Sequence, residues 1–412
     1  MTGSKLLTKL LRFRRFRAVC GWFEKRSHFI VVVKPHKNGG RCPECDRRGS
    51  IVQVLRPRLW QDMPVCGWTV LLQYSPREIR CPTHGRLVEE IPWADRFSRV
   101  TYRLEFALLR YSQVMTQKAA AELLHIPRST FSDLLHRTVT RIRKGHRLRN
   151  LRTIGVDEIS YAKGHKYATL VYDLDRSCVV WIGRGKGRET IDRFFSDVLS
   201  PYQKAQIQWA CCDMSEAYMG AIQVHCPNAT LVLDRFHIVK ALNAAVDEVR
   251  KEQWRLASDN QRKTLKGLRW LLYRHSSTRS RTDTRTLKNL ETGNHRIYKA
   301  SRLKDEFELF WEHSDPSAAQ RFLKNWTTAA LRSRLEPLRK FVQMIRRHLS
   351  GILAFIESRL TNAVSEGINR IIQIVKNRAS GFSTLEAFSD LIFLTVGDVD
   401  IPAHIPATFR TL

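Results

Sequence analysis

The sequence predicts an α/β core that carries a helical insertion and follows two small N-terminal domains. A short β-forming run within 152–160, which ends on an acidic pair, is followed by two more runs at 166–175 and 177–183. Only short polar breaks separate the three runs, which predicts a three-stranded antiparallel meander. An amphipathic helix at 189–199 follows, and the apolar run 207–212 then leads into another helix. This order predicts a fourth strand that lies parallel to the first.

Carboxylates stand where two of these strands are expected to end. Asp157, in the acidic pair Asp157–Glu158, closes the first run, and Asp213 directly follows the fourth. A sheet holds such side chains rigid while the loops beyond it leave room for substrate, an arrangement that suits metal chemistry. The order of strands, helix and carboxylates is that of a ribonuclease-H-like catalytic core. We predict this fold for residues 151–250 and, after a helical insertion at 251–350, for residues 351–412.

The charge of the chain predicts a polyanionic partner. Lys and Arg number 70 against 39 Asp and Glu, a net charge of +31 that is spread along the sequence. No stretch approaches the roughly 20 apolar residues of a membrane span, and the basic N-terminus lacks the apolar segment of a signal peptide. We expect a cytoplasmic, nucleoid-associated protein that contacts nucleic acid and no membrane.

Two short motifs in residues 1–90 predict a structural Zn²⁺ ion. Cys42 and Cys45 form a Cys-x-x-Cys knuckle, and Cys81 and His84 form a Cys-x-x-His knuckle. A two-residue gap lets both side chains of each knuckle reach one tetrahedral ion. The β-forming run 69–74 is expected to bring the knuckles together. The remaining cysteines are predicted to be small buried hydrophobic residues: Cys20, Cys66, Cys178, Cys211, Cys212 and Cys226.

Residues 91–150 predict a helix-turn-helix. Helical patterns at 103–111, 116–124 and 128–136 surround a turn at 125–127, and a basic segment follows at 141–149. The alternative is a plain helical hairpin without a role in recognition. The side chains predicted to contact DNA in this domain are Arg128, Ser129, Thr130, Ser132, Arg141, Arg143 and Lys144.

A late helix at 360–378 combines an apolar stripe with a polar face. Glu366 lies on the polar face among amides and cations, as expected of a surface that meets phosphates. The cations Arg370, Lys376 and Arg378 are predicted to contact DNA. The alternative is that Glu366 belongs to an ordinary solvated face.

In their order along the chain, these motifs resemble the zinc-finger insertion-sequence transposases of the ISL3 type. The resemblance covers nearly the whole chain and rests on the two knuckles, the helix-turn-helix, Val156-Asp157-Glu158, Cys212-Asp213-Met214-Ser215 with Tyr218, Asp234-Arg-Phe-His237, Thr361-Asn362, Glu366-Gly-Ile-Asn369 and Ala379-Ser-Gly381-Phe382. It implies a DDE transposase whose two aspartates and late glutamate are Asp157, Asp213 and Glu366. The chain departs from the family pattern at Ser365 and in Arg378-Ala-Ser-Gly, and neither departure removes a carboxylate.

Three such carboxylates suit two Mg²⁺ (or Mn²⁺) ions per active site, which catalyse in-line phosphoryl displacement. Asp157 is expected to bridge both ions, with Asp213 and Glu366 each holding one. The expected partners are double-stranded DNA, both the terminal inverted repeats of an element and its target, and a second copy of the chain in a homodimer.

Other acidic residues compete for these roles. Asp234, with His237, also follows an apolar strand and is predicted to orient a ligand or a water beside the metals. Asp173 and Asp175 are predicted to form a turn. A DNA-binding regulator derived from a transposase and a resolvase-like or ribonuclease-H-like nuclease remain as alternative functions.

Overall fold

The computed structural model describes residues 3–11, 13, 15–24, 27–144, 148–360, 363–382, 384–397 and 399. The elements of the N-terminal part are, in chain order, α1 (Gly3–Leu11), β1 (Phe16–Glu24), β2 (His28–Pro35), β3 (Gly40–Arg41), β4 (Arg48–Val54), β5 (Arg58–Gln61), β6 (Thr69–Tyr74), β7 (Arg77–Cys81), β8 (Gly85–Val88), α2 (Tyr102–Val114), α3 (Gln117–Leu123) and α4 (Arg128–Lys144).

The elements of the central part are β9 (Thr153–Ala162), β10 (Lys166–Asp173), β11 (Cys178–Arg184), α5 (Arg188–Arg193), α6 (Pro201–Gln206), β12 (Trp209–Cys212), α7 (Glu216–His225), β13 (Thr230–Leu233) and α8 (Arg235–Leu256). The remaining helices are α9 (Asp259–Leu265), α10 (Leu268–Tyr273), α11 (Arg281–Gly293), α12 (His295–Glu308), α13 (Pro316–Arg332), α14 (Glu336–Arg347), α15 (Leu349–Ser358), α16 (Ala363–Arg378) and α17 (Leu385–Val396).

Two compact units divide the chain. Unit 1 contains the described residues of 1–147 and 372–412, and unit 2 contains those of 148–371. The division falls inside α16, and α17 packs against α2 and α4 in unit 1. The grouping of the last residues therefore differs from the predicted segment 351–412, which assigned them to the catalytic core.

Unit 2 is built on a five-stranded sheet in the order β11-β10-β9-β12-β13. The first three strands pair antiparallel as the predicted meander, and β12 pairs parallel with both β9 and β13. The first strand is longer than predicted, because β9 continues beyond the acidic pair and pairs with β10 as far as Ala162. Asp157 therefore lies inside this strand and does not end it.

The helix predicted at 189–199 forms in two pieces. The α-helix α5 ends at Arg193, and a π-helical turn continues from Phe194 to Val198. Pro201, just beyond this helix, begins α6 behind a capping box made by Ser200 and Gln203.

Helices α9 to α14 lie within the segment predicted as a helical insertion, 251–350, whereas α8 lies mostly before it. Helix α15 then packs on the sheet. Gly351 of α15 lies against Leu233 of β13 so closely that a Cβ atom at residue 351 would come within 2.8 Å of the leucine Cγ. The glycine thus lets the backbone of the helix approach the strand directly.

Unit 1 contains two four-stranded sheets, in the orders β1-β2-β6-β5 and β3-β4-β7-β8. Trp93 is fully buried in the core of the first sheet, where its ring contacts Phe13, Phe16, Trp60 and Tyr74. Helices α2, α3 and α4 pack on one another as a three-helix cluster. No helix among the described residues is long and apolar enough to cross a membrane.

The predicted burial of the remaining cysteines is correct for four of them. Cys178, Cys211, Cys212 and Cys226 are buried. Cys20 and Cys66 are exposed, contrary to the prediction. Cys20 lies on an edge strand and Cys66 in a tight turn with φ of 50°, positions that amino-acid type alone does not reveal.

Candidate active site and zinc centre

Three aspartates lie at matching positions on β9, β12 and β13, which are adjacent and parallel in the sheet of unit 2. Val156 of β9 pairs with Cys212 of β12, and Cys212 pairs with Leu233 of β13. The next residues along these strands are Asp157, Asp213 and Asp234. Residues that share a register on neighbouring strands lie side by side, so these three aspartates form a row across the sheet at the level where β12 and β13 end.

Asp157 is held by two hydrogen bonds. Its Oδ1 accepts from the backbone N–H of Glu158 over 2.7 Å, and its Oδ2 accepts from Nδ2 of Asn369 over 2.8 Å. Burial raises the pKa of Asp157, and the negative charge of Asp213 raises it further, against the lowering effects of these bonds and of His237. Burial and the charge of Asp213 therefore disfavour an isolated negative charge on Asp157, which a nearby cation would stabilise.

The amide of Asn369 is itself oriented by a buried tyrosine. Tyr172 of β10 donates from its hydroxyl to Oδ1 of Asn369 over 2.6 Å, so the amide nitrogen is directed at Asp157. Tyr172 is fully buried, and burial raises the pKa of its phenol well above the usual value, with the charge of Asp157 adding to the shift. The hydroxyl therefore remains a hydrogen-bond donor. The sequence pattern predicted no role for Tyr172, and Asn369 appeared in it as part of the motif Glu366-Gly-Ile-Asn369.

The first turns of α16 pack on β9 next to Asp157. Ser365 is buried, and a Cβ atom at Gly155 would lie 3.1 Å from its Oγ. A glycine at residue 155 is thus what permits this approach. Glu366 is exposed and precedes Asn369 by three residues, a spacing that puts both side chains on neighbouring positions of one helix face. Thr361 and Asn362, which belonged to the same predicted motif, lie outside the described residues.

Backbone hydrogen bonds fix the other two aspartates of the row. Oδ1 of Asp213 accepts from the N–H of Ser215 over 2.9 Å. Asp234 is buried and caps α8, because its Oδ1 accepts from the N–H of Phe236 over 3.0 Å. Nε2 of His237 lies 3.8 Å from Oδ2 of Asp234. The turn predicted at Asp173 and Asp175 is confirmed in the β10–β11 hairpin, since Oδ1 of Asp173 accepts from the N–H groups of residues 175 and 176.

The carboxylates are spread rather than clustered. Within the described part of the chain, one set of three or more acidic, cysteine or histidine side chains has all its ligand atoms within 4.8 Å of one another, and it contains no carboxylate. Asp157, Asp213 and Glu366 thus do not converge on one point.

That tight set is the predicted zinc centre of Cys42, Cys45, Cys81 and His84. Sγ of Cys42 lies 3.6 Å from Nδ1 of His84, Sγ of Cys45 lies 3.6 Å from Sγ of Cys81, and the Cys81–His84 distance is 3.7 Å. A tetrahedral ion with Zn–S bonds of about 2.3 Å and Zn–N bonds of about 2.0–2.1 Å requires ligand atoms about 3.6–3.8 Å apart. The four side chains therefore fit one Zn²⁺ ion.

The sheet β3-β4-β7-β8 brings the two knuckles together. The first knuckle lies between β3 and β4, the second lies between β7 and β8, and antiparallel pairing of β4 with β7 puts Ser50 beside Arg80. The predicted carrier, 69–74, is β6 of the other sheet, so that part of the prediction was wrong. Burial raises the pKa of the Cys81 thiol, but hydrogen bonds from the backbone of Thr83 and His84 outweigh it and lower the pKa to about 6. A lowered pKa favours the thiolate that binds metal.

The predicted helix-turn-helix corresponds to α3, α4 and the turn between them. Thr116 caps α3 through the N–H of Ala119, and His125 in the turn has φ of 55°. At the start of α4, the side chains of Arg128, Ser129 and Thr130 are exposed. Ser132 is half-buried and donates from Oγ to Gln117 of α3 over 3.4 Å.

Several of the predicted DNA-contacting cations have protein partners inside unit 1. Arg141 pairs with buried Glu105 at 2.6 Å and with Asp95 at 3.1 Å. Arg143 lies over the ring of Phe393, and burial lowers the pKa of its guanidinium. Arg378 donates to the backbone carbonyls of residues 112 and 113 at the end of α2. Lys144 and Arg370 are exposed, and Lys376 is half-buried.

Comparison with known proteins matches this chain to a family and to relatives in it. A family model for an ISL3-type DDE transposase matches residues 154–392. The transposase for insertion sequence element IS1001 of Bordetella parapertussis is 32% identical over 365 residues, which cover 87% of this chain and 89% of the relative. The transposase for insertion sequence element IS1557 of Mycobacterium tuberculosis is 27% identical over 381 residues, or 86% of this chain and 85% of the relative.

A solved structure, the Drosophila P element transposase strand transfer complex, is also similar to this chain. The match has a TM-score of 0.40 and 10% sequence identity, and it covers 73% of this chain and 92% of that chain. A TM-score this low supports no conclusion about this protein.

Proposed function

This chain belongs to the ISL3 family of DDE transposases, and from that premise we propose that Asp157, Asp213 and Glu366 are its catalytic carboxylates. The observation that carries the proposal is the shared register that puts Asp157 and Asp213 side by side. A further support is the hydrogen bond from Asn369 to Asp157, because it brings the helix of Glu366 to the same part of the sheet.

We also propose that unit 2 is a ribonuclease-H-like core with a helical insertion. Its support is the strand order β11-β10-β9-β12-β13, with three antiparallel strands followed by two parallel ones. The predicted domains 1–90 (zinc-binding), 91–150 (helix-turn-helix) and 251–350 (insertion) remain part of the same proposal.

The three carboxylates suit two divalent cations, Mg²⁺ or Mn²⁺. When bound, two such ions would activate the attacking oxygen and stabilise the leaving oxygen of an in-line phosphoryl displacement. Ligands for two ions need not meet at one point, which agrees with the spread of Asp157, Asp213 and Glu366. A cation beside Asp157 would offset its burial and the charge of Asp213, which together raise the pKa of this carboxyl.

Each carboxylate has a distinct supporting contact. Asn369 holds Asp157 in one orientation, and the N–H of Ser215 holds Asp213. Asp234, next in the row, caps α8 and has His237 nearby, so we propose that it orients a ligand or a water and binds no ion itself. In the proposed reaction, hydrolysis nicks DNA at the end of the element and the released 3′-hydroxyl attacks target DNA.

We propose that α4 reads the terminal inverted repeats of the element. The support is that Arg128, Ser129 and Thr130 are exposed at its first turn, where a recognition helix meets base edges. Exposed Lys144 and Arg370, together with Lys376, are the proposed phosphate contacts. The protein partners of Arg141, Arg143 and Arg378 make these residues weaker candidates for the same role.

Because two element ends must be joined to one target, we propose a homodimer when DNA is bound. Light scattering of the complex with two end duplexes tests this, and a fully active complex that contains one chain would contradict it.

The proposal is tested by isosteric substitutions that remove one charge each. Asp157→Asn, Asp213→Asn and Glu366→Gln should each abolish nicking of a labelled element end and its joining to a second duplex. Binding to the end should persist, because these residues bind metal and not the recognition sequence. Asp175→Asn, at the β10–β11 hairpin, is the matched control and should nick at the wild-type rate.

Asp234→Asn discriminates the proposed roles within the row. A residue that only orients a ligand should cost about 10–100-fold in rate. If Asp234→Asn is inactive while Asp213→Asn nicks normally, the second ligand is misassigned. If the wild-type chain binds element ends but never nicks them with Mg²⁺ or Mn²⁺, the chain is a regulator and the catalytic proposal fails.

A further inference from the structure

A basic pocket is lined by residues between 250 and 269, in the helical insertion. None of these residues has a role in the function proposed above. The pocket has a volume of about 350 Å³ and is formed by the last turns of α8 and by the segment from Leu265 to Arg269. The cations that line it are Arg250, Lys251, Arg255, Lys266 and Arg269.

The pocket keeps an excess of positive charge after its internal ion pairs are counted. Buried Asp247 lies 2.8 Å from Arg250, 3.4 Å from Lys251 and 3.9 Å from Arg269. Glu248 pairs with Lys251 and Arg255 at 3.3 and 3.5 Å. Two carboxylates thus face five cations, and the latter include exposed Lys266. Such a cavity fits an anion with several charged oxygens, such as the phosphates of a DNA strand.

An exposed tryptophan directly follows Arg269 of the pocket in the chain and contacts its guanidinium. Trp270 is 67% exposed, and its ring meets Tyr273 edge to face with centroids 6.0 Å apart. The guanidinium of Arg269, which lines the pocket, lies 5.4 Å from the centre of the Trp270 ring and 5.5 Å from that of Tyr273. Single exposed apolar side chains are common on protein surfaces. Here the indole is held by a cation of the pocket and still leaves most of its surface open.

We propose that this pocket binds the phosphates of a DNA strand and that Trp270 stacks on an unpaired base of that strand. Cations beside an aromatic ring are the combination that binds single strands, because the cations follow the backbone while the ring accepts any base. In a paired duplex the bases already stack on one another, so the indole selects DNA with an unpaired nucleotide. The inference rests on the proposed function, since nicking an element end releases strands that can leave the duplex.

The test measures binding of the full chain to two fluorescent probes without added Mg²⁺. One probe is a duplex with a short single-stranded overhang that carries 2-aminopurine, and the other is the same duplex fully paired. Trp270→Ala should weaken binding of the overhang probe about 5- to 150-fold, the equivalent of about 1–3 kcal/mol per stacked base, and should abolish quenching of the 2-aminopurine. Its affinity for the paired probe should not change. Trp270→Phe should retain most of the affinity.

Two controls separate stacking and charge from general effects. Tyr202→Ala removes another aromatic side chain of unit 2, which is 72% exposed, and should change nothing. Lys266→Ala should lower the affinity for the overhang probe. It should also reduce the slope of log affinity against log salt concentration by about 0.7. Lys288→Ala, on α11, is the control and should change neither quantity.

The proposal is overturned if Trp270→Ala affects both probes equally or neither, or if an RNA overhang is bound more tightly than the DNA one. Because no cleavage occurs in this assay, its result is independent of the catalytic proposal. A chain with Asp157→Asn should bind the overhang probe as the wild type does, so failure of the carboxylates and failure of the pocket give different results.

Discussion

Asn369 donates from Nδ2 to Oδ2 of Asp157 over 2.8 Å and so joins two residues that lie 212 positions apart in the chain. The bond selects which turn of α16 lies over β9. Because Tyr172 donates to the amide oxygen of Asn369 over 2.6 Å, the amide cannot turn over without losing that bond. Side chains from the β9–β10 hairpin and from α16, which are far apart in the sequence, thus set the geometry around the carboxylate of Asp157.

Tyr172→Phe should therefore slow nicking by about 10- to 100-fold, as expected when a metal ligand loses the group that orients it. The ring stays buried and only the hydroxyl is lost, so Asn369 becomes free to present its oxygen to Asp157 and repel it. The measurement is the nicking rate as a function of Mg²⁺ concentration, with a higher concentration needed for half-maximal rate. Tyr202→Phe, at an exposed tyrosine, is the control. An unchanged Mg²⁺ dependence for Tyr172→Phe would show that the hydroxyl has no such role.

Local patterns predicted much of this fold and site. The antiparallel meander, the parallel fourth strand and the metal-binding knuckles all depend on short runs of sequence, and the structure contains them. The end of β9 was misplaced because strand length depends on non-local pairing. Its partner β12 stops at Cys212, but β10 continues to pair with β9 up to Ala162. Asp157 thus lies just beyond the paired part of β9 and β12 but within the paired part of β9 and β10.

Side-chain partnerships were the part that sequence did not predict. Tyr172 looks like any aromatic residue of a buried strand, and no pattern links it to Asn369, 197 residues later. Arg378 likewise looked like a phosphate contact, whereas it donates to the carbonyls that end α2. The residue type of an arginine does not show whether it binds DNA or caps a helix, so these roles can be distinguished only once the fold is known.

The zinc centre should hold one ion per chain. Cys81→Ser should reduce zinc content from one equivalent to near zero and lower the thermal unfolding temperature of unit 1, since a structural ion contributes directly to folding. Metal analysis of the purified full chain measures the first effect, and circular dichroism the second. Cys66→Ser, at an exposed cysteine that lies between the knuckles in sequence, is the matched control. Full zinc content in Cys81→Ser would contradict the assignment.

The lowered pKa of Glu308 leads us to expect that the free energy of unfolding of this protein depends on pH. Burial raises the pKa of this carboxyl, but hydrogen bonds from Ser276 and Lys304 outweigh it, so that the pKa lies below its ordinary value. A lowered pKa means that the carboxylate contributes stability above the unfolded pKa of about 4.3 and loses it as the pH falls through the folded pKa. Glu308→Gln should therefore reduce the free energy of unfolding at pH 7 by about 1–3 kcal/mol, because buried Lys304 loses its charged partner.

The difference between wild type and Glu308→Gln should shrink as the pH falls through the folded-state pKa of Glu308, because the wild-type carboxyl then takes up a proton and loses its charge as well. Denaturation followed at pH 7 and at pH 3 measures it. Glu291→Gln, at an exposed position of α11, should show little difference at either pH. A deficit of equal size at both pH values would mean that shape and not charge accounts for the loss.

Recognition by α4 should depend on its first turn. Ser129→Ala with Thr130→Ala should relax the preference for element ends over random DNA more than it lowers total affinity, because side chains that meet base edges carry specificity while phosphate contacts carry most of the binding. Arg128→Ala, by contrast, should weaken both kinds of DNA and reduce the logarithmic salt slope by about 0.9, if its partner is one phosphate. Thr286→Ala, an exposed threonine of α11, serves as the control. Fluorescence anisotropy with both DNAs over a salt series measures these effects. If the double variant keeps full discrimination, base recognition lies elsewhere in the chain, and the start of α4 is only a solvated helix end.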